Sequence, residues 1–338
     1  MEMNCLNCTN VRKVVIIGCG FVGSASAFAL MQSGLFSEMV LIDSDRERAE
    51  GEALDISHGI PFAKPIKIYA GDYDDIKDAV MIILTAGAGQ KPGETRLDLV
   101  KKNISIFKSI IPEIKKREYK GILLVVANPV DILTTAAVKL SEFPENRVFG
   151  SGTVLDTARL KYELGNHLNV DSRSVHAFII GEHGDSEIPA WSSANISGVP
   201  LDKFCEMRGH CDHADSMKRI GEEVKNSAYE IIAKKKATYY GIAMAVKRIC
   251  ESIVRDEKSV LPNNVLAQVL RDEKLSLEKR LVAFHSGVPA RKTVTDDVGH
   301  AVEEGLEERL QNRQPRKPLV RHRGALGIEV EGRSKHPD

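Results

Sequence analysis

The sequence predicts an α/β protein, with a doubly wound parallel sheet in its first half and an α+β region in its second. Three observations carry this prediction. From residue 11 to about residue 150, short apolar runs alternate with stretches of helical periodicity, the pattern of parallel strands joined by right-handed helical crossovers. The first apolar run closes on a glycine turn, Gly18-Cys19-Gly20-Phe21-Val22-Gly23. The patterning then changes near residues 150–152, where a domain boundary is expected. The resulting division is a polar leader at 1–10, a nucleotide-binding region at 11–150, a second region at 151–262, and a segment of different character at 263–338.

Taken in order, residues 14–17 (VVII) form a buried strand, and Phe21, Val22, Ala25, Phe28 and Ala29 recur at helical spacing. Residues 39–42 are a second strand, ended by Asp43, and residues 66–70 and 80–84 are a third and a fourth. The stretch 85–93, rich in glycine and closed by Pro92-Gly93, must be a loop. Leu97, Val100, Ile104, Phe107, Ile111 and Ile114 then alternate spacings of three and four, predicting a long amphipathic helix with a kink at Pro112. Residues 121–127 read as another buried strand, and Pro129 is suited to the first turn of the next helix. In the second half, Asp156 and Arg159 lie three apart on one helix face. Residues 175–180 read as a strand leading to a loop around His183. Ile220, Val224, Ala228 and Ile231 mark a long helix, which Ile242, Ala245, Ile249 and Ile253 continue after a polar break.

The bulk properties remove several classes of function. The 338 residues have a formal net charge of zero, so no global field recruits nucleic acid or an anionic membrane. The apolar runs are far shorter than the roughly 20 residues that span a bilayer, and residues 1–10 lack the apolar core of a signal peptide. These features predict a cytoplasmic protein. Of the six cysteines, Cys19 and Cys250 sit in apolar-patterned segments and read as buried thiols. Cys5 and Cys8 have metal-ligand spacing without a second such pair, and Cys205, His210, Cys211 and His213 read as a polar loop before a helix. No metal site is expected.

The glycine turn follows a strand, opens a helix and precedes an acid, Asp43, twenty residues beyond its last glycine. This is the Rossmann dinucleotide fingerprint. Gly18 permits the tight turn, Gly20 lets a pyrophosphate approach the backbone, and Gly23 lets helix and strand pack closely. The helix N-terminus, with Phe21 and Val22 beside it, offers free amides to phosphate. Asp43 can accept hydrogen bonds from ribose hydroxyls and would repel a 2′-phosphate, so NAD is the expected cofactor.

Downstream, Gly181-Glu182-His183-Gly184-Asp185 places a histidine on a tight loop, where it can serve as a proton donor near neutral pH or simply as a loop residue. Asp156 offers a carboxylate to orient the imidazole, and Arg159 a guanidinium for an anionic substrate. Arg96, at a helix start where it opposes the macrodipole, either meets an anion or is solvated. Asn128, just past a strand's carboxyl end, either binds a ligand or caps the next helix.

These motifs resemble the lactate/malate dehydrogenase family. The matching stretches are 15–23, 86–100 (AGAGQKPGETRLDLV), 125–131 (VVANPVD), 150–159 (GSGTVLDTAR), 175–186 and 237–243 (ATYYGIA), and the likeness is continuous from about residue 11 to residue 262. The resemblance implies NAD-dependent interconversion of pyruvate and L-lactate. It assigns His183 as the acid/base group, Asp156 as its partner, Arg159 as the clamp on the substrate carboxylate and Arg96 as the lid residue that polarises the carbonyl. Asn128 would bind the substrate oxygen and Thr238 would line the pocket. The cofactor would be held by Gly18, Gly20, Phe21, Val22, Gly23, Asp43, Arg48, Tyr69, Gly87, Ala88 and Asn128. Gln90 selects the substrate: malate-specific members carry arginine there, and a neutral amide cannot balance a second buried carboxylate. Lys161 and His176 match an arginine and a histidine that bind fructose 1,6-bisphosphate in some members, and a homotetramer is implied.

Three departures stand against this. Gly89 replaces a usual asparagine, and Lys236 replaces a usual glycine. After Pro262 the family's Gly-x-Tyr-Gly turn, two apolar strands and closing helix are not found; residues 265–281 and 298–310 have helical character instead, and a tail follows with eight Lys/Arg against two Glu between residues 309 and 335. A shifted or fused reading frame and a genuine variant are both consistent with so abrupt a change. The tail's composition reads as disorder rather than nucleic-acid binding. The alternatives to a lactate enzyme are therefore a malate dehydrogenase-like enzyme and an inactive NAD-binding homologue.

Overall fold

The computed structural model describes residues 10–89, 93–210 and 212–263, all within one compact unit. Gln90, Cys5, Cys8, Cys211 and the divergent segment from residue 264 onward lie outside the described residues.

The first half is a six-stranded sheet. Its strands are β1 (Asn10–Ile17), β2 (Glu38–Ile42), β3 (Lys67–Ala70), β4 (Ala79–Leu84), β5 (Ile122–Val125) and β6 (Val148–Gly150). They run in the order β3-β2-β1-β4-β5-β6, every pairing parallel. The order reverses at β1–β4, and in such sheets the ligand crevice lies beyond the carboxyl ends of the strands at that reversal. Successive side chains of a strand point to opposite faces. Val14 and Ile16 accordingly enter one core cluster with Leu30, Met39 and Met81, while Val15 and Ile17 enter another with Phe107, Ile111 and Leu133. Both faces are covered, which is why the strands read as unbroken apolar runs.

The intervening helices are α1 (Phe21–Ser33), α2 (Arg46–Ser57), α3 (Arg96–Lys116) and α4 (Val130–Ser141). A reciprocal capping box between Thr95 and Asp98 starts α3, satisfying two of the free amides at its end. The helix runs past Pro112 to Lys116 without interruption. Pro129 is the N-cap of α4 rather than a residue of its first turn.

The second half opens with α5 (Val154–Leu168). Its Leu160, Leu164 and Leu168 recur every four residues and have 0% exposure, each contributing about 1.5–3 kcal/mol of burial to a third cluster with Ile179, Ile196, Ile220 and Val224. The expected strand over 175–180 is two strands in different sheets. β7 (Val175–His176) pairs antiparallel with β10 (Asn195–Ile196), whereas β8 (Ile179–Ile180) pairs with β9 (Ile188–Pro189). Val175 of one piece and Ile179 of the other back onto the same core, so the hydrophobicity of the run conceals the switch. β11 (Val199–Pro200), α6 (Leu201–Met207), α7 (His213–Lys235) and α8 (Tyr240–Val254) follow. α8 packs its Ala245, Val246, Ile249 and Cys250 into the cluster of Val14 and Leu30.

Candidate active site

His183 sits on the loop between β8 and β9, bounded by Gly181 and Gly184 in left-handed conformations (φ 97° and 111°) that favour glycine. α5 delivers Asp156 from beneath. Asp156 is 1% exposed and lies with Oδ2 2.5 Å from His183 Nδ1, while its Oδ1 accepts from Arg159 at 2.8 Å. The sequence-expected acid, imidazole and guanidinium therefore meet at one carboxylate. Burial works against the Asp156 charge, but the hydrogen bond and charge of His183, with Arg159, hold its carboxyl below the usual carboxylate range. Burial likewise opposes charge on His183, yet Asp156, then Glu187 and Asp131, raise its imidazole above the ordinary value. With Nδ1 held by Asp156, the other nitrogen, Nε2, is left to exchange a proton with a ligand.

Two carboxylates in this site carry no signal in the sequence. Asp131, in the first turn of α4, accepts a hydrogen bond from the His183 backbone amide at 3.1 Å. It ties the histidine loop to the segment that holds Asn128. Burial first, and Glu182 second, push its carboxyl up to about 7. Glu187 accepts from the Gly184 amide at 3.3 Å, and its carboxyl is pushed up to about 7, by burial and then by the charge of Asp156. Ligand atoms of Asp156, His183 and Glu187 lie within 4.8 Å of one another, the only such group among the described residues. The 2.5 Å contact between Nδ1 and Asp156 is a direct hydrogen bond with no room for an ion between the two atoms.

The other elements converge on the same edge. Asn103 of α3, 0% exposed, accepts from the Ala88 amide at 2.7 Å and donates to the carbonyls of Asn128 and Ala88 at 2.7 and 3.2 Å. It fixes the Gly87–Ala88 turn against the end of β5. The sequence does hold a trace of this role: Asn103 falls on the apolar stripe of α3, three residues after Val100 and four before Phe107. Asn128 is exposed and is not the cap of α4. Thr238 lies in the break between α7 and α8, next to Tyr239, whose ring stacks on Phe21 of the glycine turn at 5.3 Å. Arg96 is the first residue of α3. Tyr69 gives its hydroxyl to Glu38 and Asp75 at 2.8 and 3.4 Å, bonds that brace the sheet edge. Arg48 lies in the first turn of α2, its amide capped by Asp45. Lys161 is half-buried on α5, near Arg248, and His176 is exposed on β7.

The glycine turn fits a dinucleotide. A Cβ on Gly18 would lie 2.4 Å from the Ala86 nitrogen and one on Gly23 1.9 Å from the Gly18 carbonyl oxygen, so both positions exclude any side chain. At Gly20 a Cβ would meet nothing within 4 Å, leaving open space above the turn. The N-terminus of α1 has neither a side-chain cap nor an acid in its first turn, so its amides and partial positive charge are available to phosphate. Asp43 Oδ2 accepts from the Cys19 amide at 2.6 Å and Oδ1 from Asp45 at 3.0 Å. The carboxylate is thereby fixed at the end of β2 with lone pairs to spare for ribose hydroxyls.

Comparison with known proteins agrees with this geometry. Residues 12–150 match the model of the lactate/malate dehydrogenase NAD-binding domain, and residues 153–313 match that of the family's α/β C-terminal domain. An L-lactate dehydrogenase of Acetivibrio thermocellus is 57% identical over 251 residues, covering 74% of this chain and 79% of that protein. One of Thermoanaerobacterium saccharolyticum is also 57% identical over 251 residues, with 74% and 81% coverage. Among solved structures, a lactate dehydrogenase from a Medee basin deep-sea metagenome library aligns with a TM-score of 0.75 at 39% identity, over 88% of this chain and 98% of that one. The minor L-lactate dehydrogenase of Enterococcus mundtii in its ligands-bound form aligns equally well at 38% identity, over 90% and 98%.

Proposed function

The chain belongs to the lactate/malate dehydrogenase family, and from that premise we propose that it is an NAD-dependent L-lactate dehydrogenase, interconverting pyruvate and L-lactate in fermentative glycolysis. The observation that carries the reading is the 2.5 Å pairing of His183 with buried Asp156, whose other oxygen holds Arg159. The glycine turn and Asp43 would hold the nicotinamide cofactor, which would supply hydride in its reduced form and accept it in its oxidised form. In the reducing direction His183 gives its Nε2 proton to the carbonyl oxygen, and Asp156 keeps the imidazole in the tautomer that can do so. Arg159 clamps the substrate carboxylate through a charge-assisted pair contributing about 1.5–3 kcal/mol. Arg96 polarises the carbonyl, acting mainly as negative charge develops on oxygen. Asn128 bonds that oxygen, and Thr238 lines the pocket. Gln90, a neutral amide, favours the methyl group of pyruvate over the second carboxylate of oxaloacetate.

Regulation and assembly belong to the same proposal. The charge of Arg248 reaches Lys161, and Lys161 with exposed His176 supplies the residue types that would bind a bisphosphate such as fructose 1,6-bisphosphate. Phe21 and Phe28 of α1, with Tyr240 and Met244 of α8, are exposed, an apolar surface that supports self-association into a homotetramer. No described helix is long and apolar enough to cross a membrane, which is compatible with a cytoplasmic location. The direct test is NADH oxidation by the full chain with pyruvate, alongside a His183→Asn variant. Turnover that falls by about 10²–10⁴ in the variant supports the role of His183; equal rates in the two proteins contradict it.

A further inference from the structure

Glu187 is a buried carboxyl group that the roles above leave unused. Its side chain is only 4% exposed. One oxygen accepts from the Gly184 amide at 3.3 Å and lies 3.9 Å from His183 Nδ1, and the carboxyl comes within 4.8 Å of the Asp156 carboxylate. Two buried carboxylates this close repel, so one of them favours its protonated form. Asp156 already accepts from both His183 and Arg159, so that proton belongs on Glu187. Arg159 of α5 and His183 of the loop face this pair, Asp131 of α4 faces His183, and Glu182 of the loop faces Asp131. The imidazole is thus enclosed by three carboxyl groups, with Arg159 as the one permanent cation named among them.

We infer that Glu187 is a positioning residue for proton transfer: its carboxyl is packed beside Asp156 behind the imidazole, and its ionisation sets how firmly His183 keeps its own proton. The inference rests on His183 being the acid/base group. While Glu187 holds its proton, the pair carries one negative charge. When that proton leaves to solvent, the pair carries two charges and the imidazolium is stabilised further. Burial and the Asp156 charge raise the Glu187 carboxyl toward neutral pH, so this second charge appears as the imidazole would otherwise deprotonate. The three groups titrate as a unit, and pyruvate reduction, which needs His183 protonated, extends to higher pH.

The test compares full-length wild type, Glu187→Gln and Glu187→Asp. NMR follows the imidazole of His183, assigned with His183→Asn, and kcat/KM for pyruvate is measured against pH. Glutamine keeps the shape and the hydrogen bonds but cannot ionise; aspartate keeps the charge but withdraws by one methylene. The expected result is a His183 midpoint lower by about one pH unit in Glu187→Gln, the low end of the effect of one nearby opposite charge. The alkaline limb of kcat/KM moves down with it, and Glu187→Asp stays nearer to wild type. An unchanged midpoint in Glu187→Gln, or a shift in Glu187→Asp alone, overturns the inference and leaves Glu187 a loop anchor. If Glu187→Gln does not fold, a Glu187→Asp midpoint lowered by about a full unit overturns it, and one near wild type supports it. The NMR titration needs no turnover. Wild type that fails to oxidise NADH with pyruvate sinks the proposed activity, whereas the imidazole midpoints judge Glu187 separately.

Discussion

At Asp156 one carboxylate serves two cations, and everything in the site depends on its staying charged while buried. Arg159 and His183 hold it there, so a substitution at either should act through the other. Arg159→Lys keeps a positive charge but loses the planar fork that matches a carboxylate. Its KM for pyruvate should rise about tenfold or more, equivalent to about 1.4 kcal/mol, and an unchanged KM in steady-state assays would remove Arg159 from the substrate. Asp131 leads to a prediction about stability. Its folded value of about 7 lies above the unfolded value of about 3.9. Between those two pH values the folded chain holds a proton that the unfolded chain has released, so stability falls as pH rises through this window and the full cost remains above it. Asp131→Asn still accepts from the His183 amide but never ionises. Its melting temperature relative to wild type should therefore improve from about pH 4 to about pH 8, and parallel pH curves for the two proteins would contradict this. His183, Asp156 and Arg159 were legible in the sequence because each sits in a dense motif with its neighbours. Asp131 and Glu187 were not: Asp131 meets the His183 amide across 52 residues of chain, and Glu187 reads as an ordinary loop acid until its burial is seen.

The elements show where periodicity succeeds and where it stops. Apolar runs located five of the six parallel strands, since burial on both faces leaves little choice of residue; β6, only three residues long, was not among them. The same signal merged β7 and β8, because hydrophobicity records burial and not the sheet in which a strand pairs. The polar break between α7 and α8 was visible too, and its geometry is specific. Lys236 caps α7 at φ 71°, a left-handed conformation that costs a residue with a Cβ roughly 1–2 kcal/mol. Lys236→Gly should stabilise the protein by about 0.5–1 kcal/mol after the added freedom of glycine in the unfolded chain is deducted, read as a higher thermal midpoint; a lower midpoint would show that the lysine makes contacts outweighing its strain. Gly18→Ala tests the glycine turn. A methyl group there would press on the Ala86 backbone at 2.4 Å and demand φ 104°, so NADH affinity measured by fluorescence should fall at least about tenfold. Wild-type affinity would place the dinucleotide elsewhere.

For the whole molecule, the described fold and the family match agree from β1 to the end of α8. The NAD-binding model ends at residue 150 and the C-terminal model begins at residue 153, where the patterning of the sequence changes. The C-terminal model's match reaches residue 313, while the family's closing strands and helix are not recognisable as motifs beyond Pro262. Periodicity cannot say whether another sequence covers the same apolar surface, and Gln90, to which the proposed function assigns substrate choice, lies outside the described residues. The proposed function requires the His183 group, as held in this chain, to reduce a 2-oxo acid with no second carboxylate. The most direct measurement is NADH absorbance followed with pyruvate and, separately, with oxaloacetate. The account predicts rapid oxidation with pyruvate and a kcat/KM for oxaloacetate lower by at least about 10², the cost of an unpaired buried charge in the pocket. Oxidation with oxaloacetate alone, or with neither acid, would contradict it.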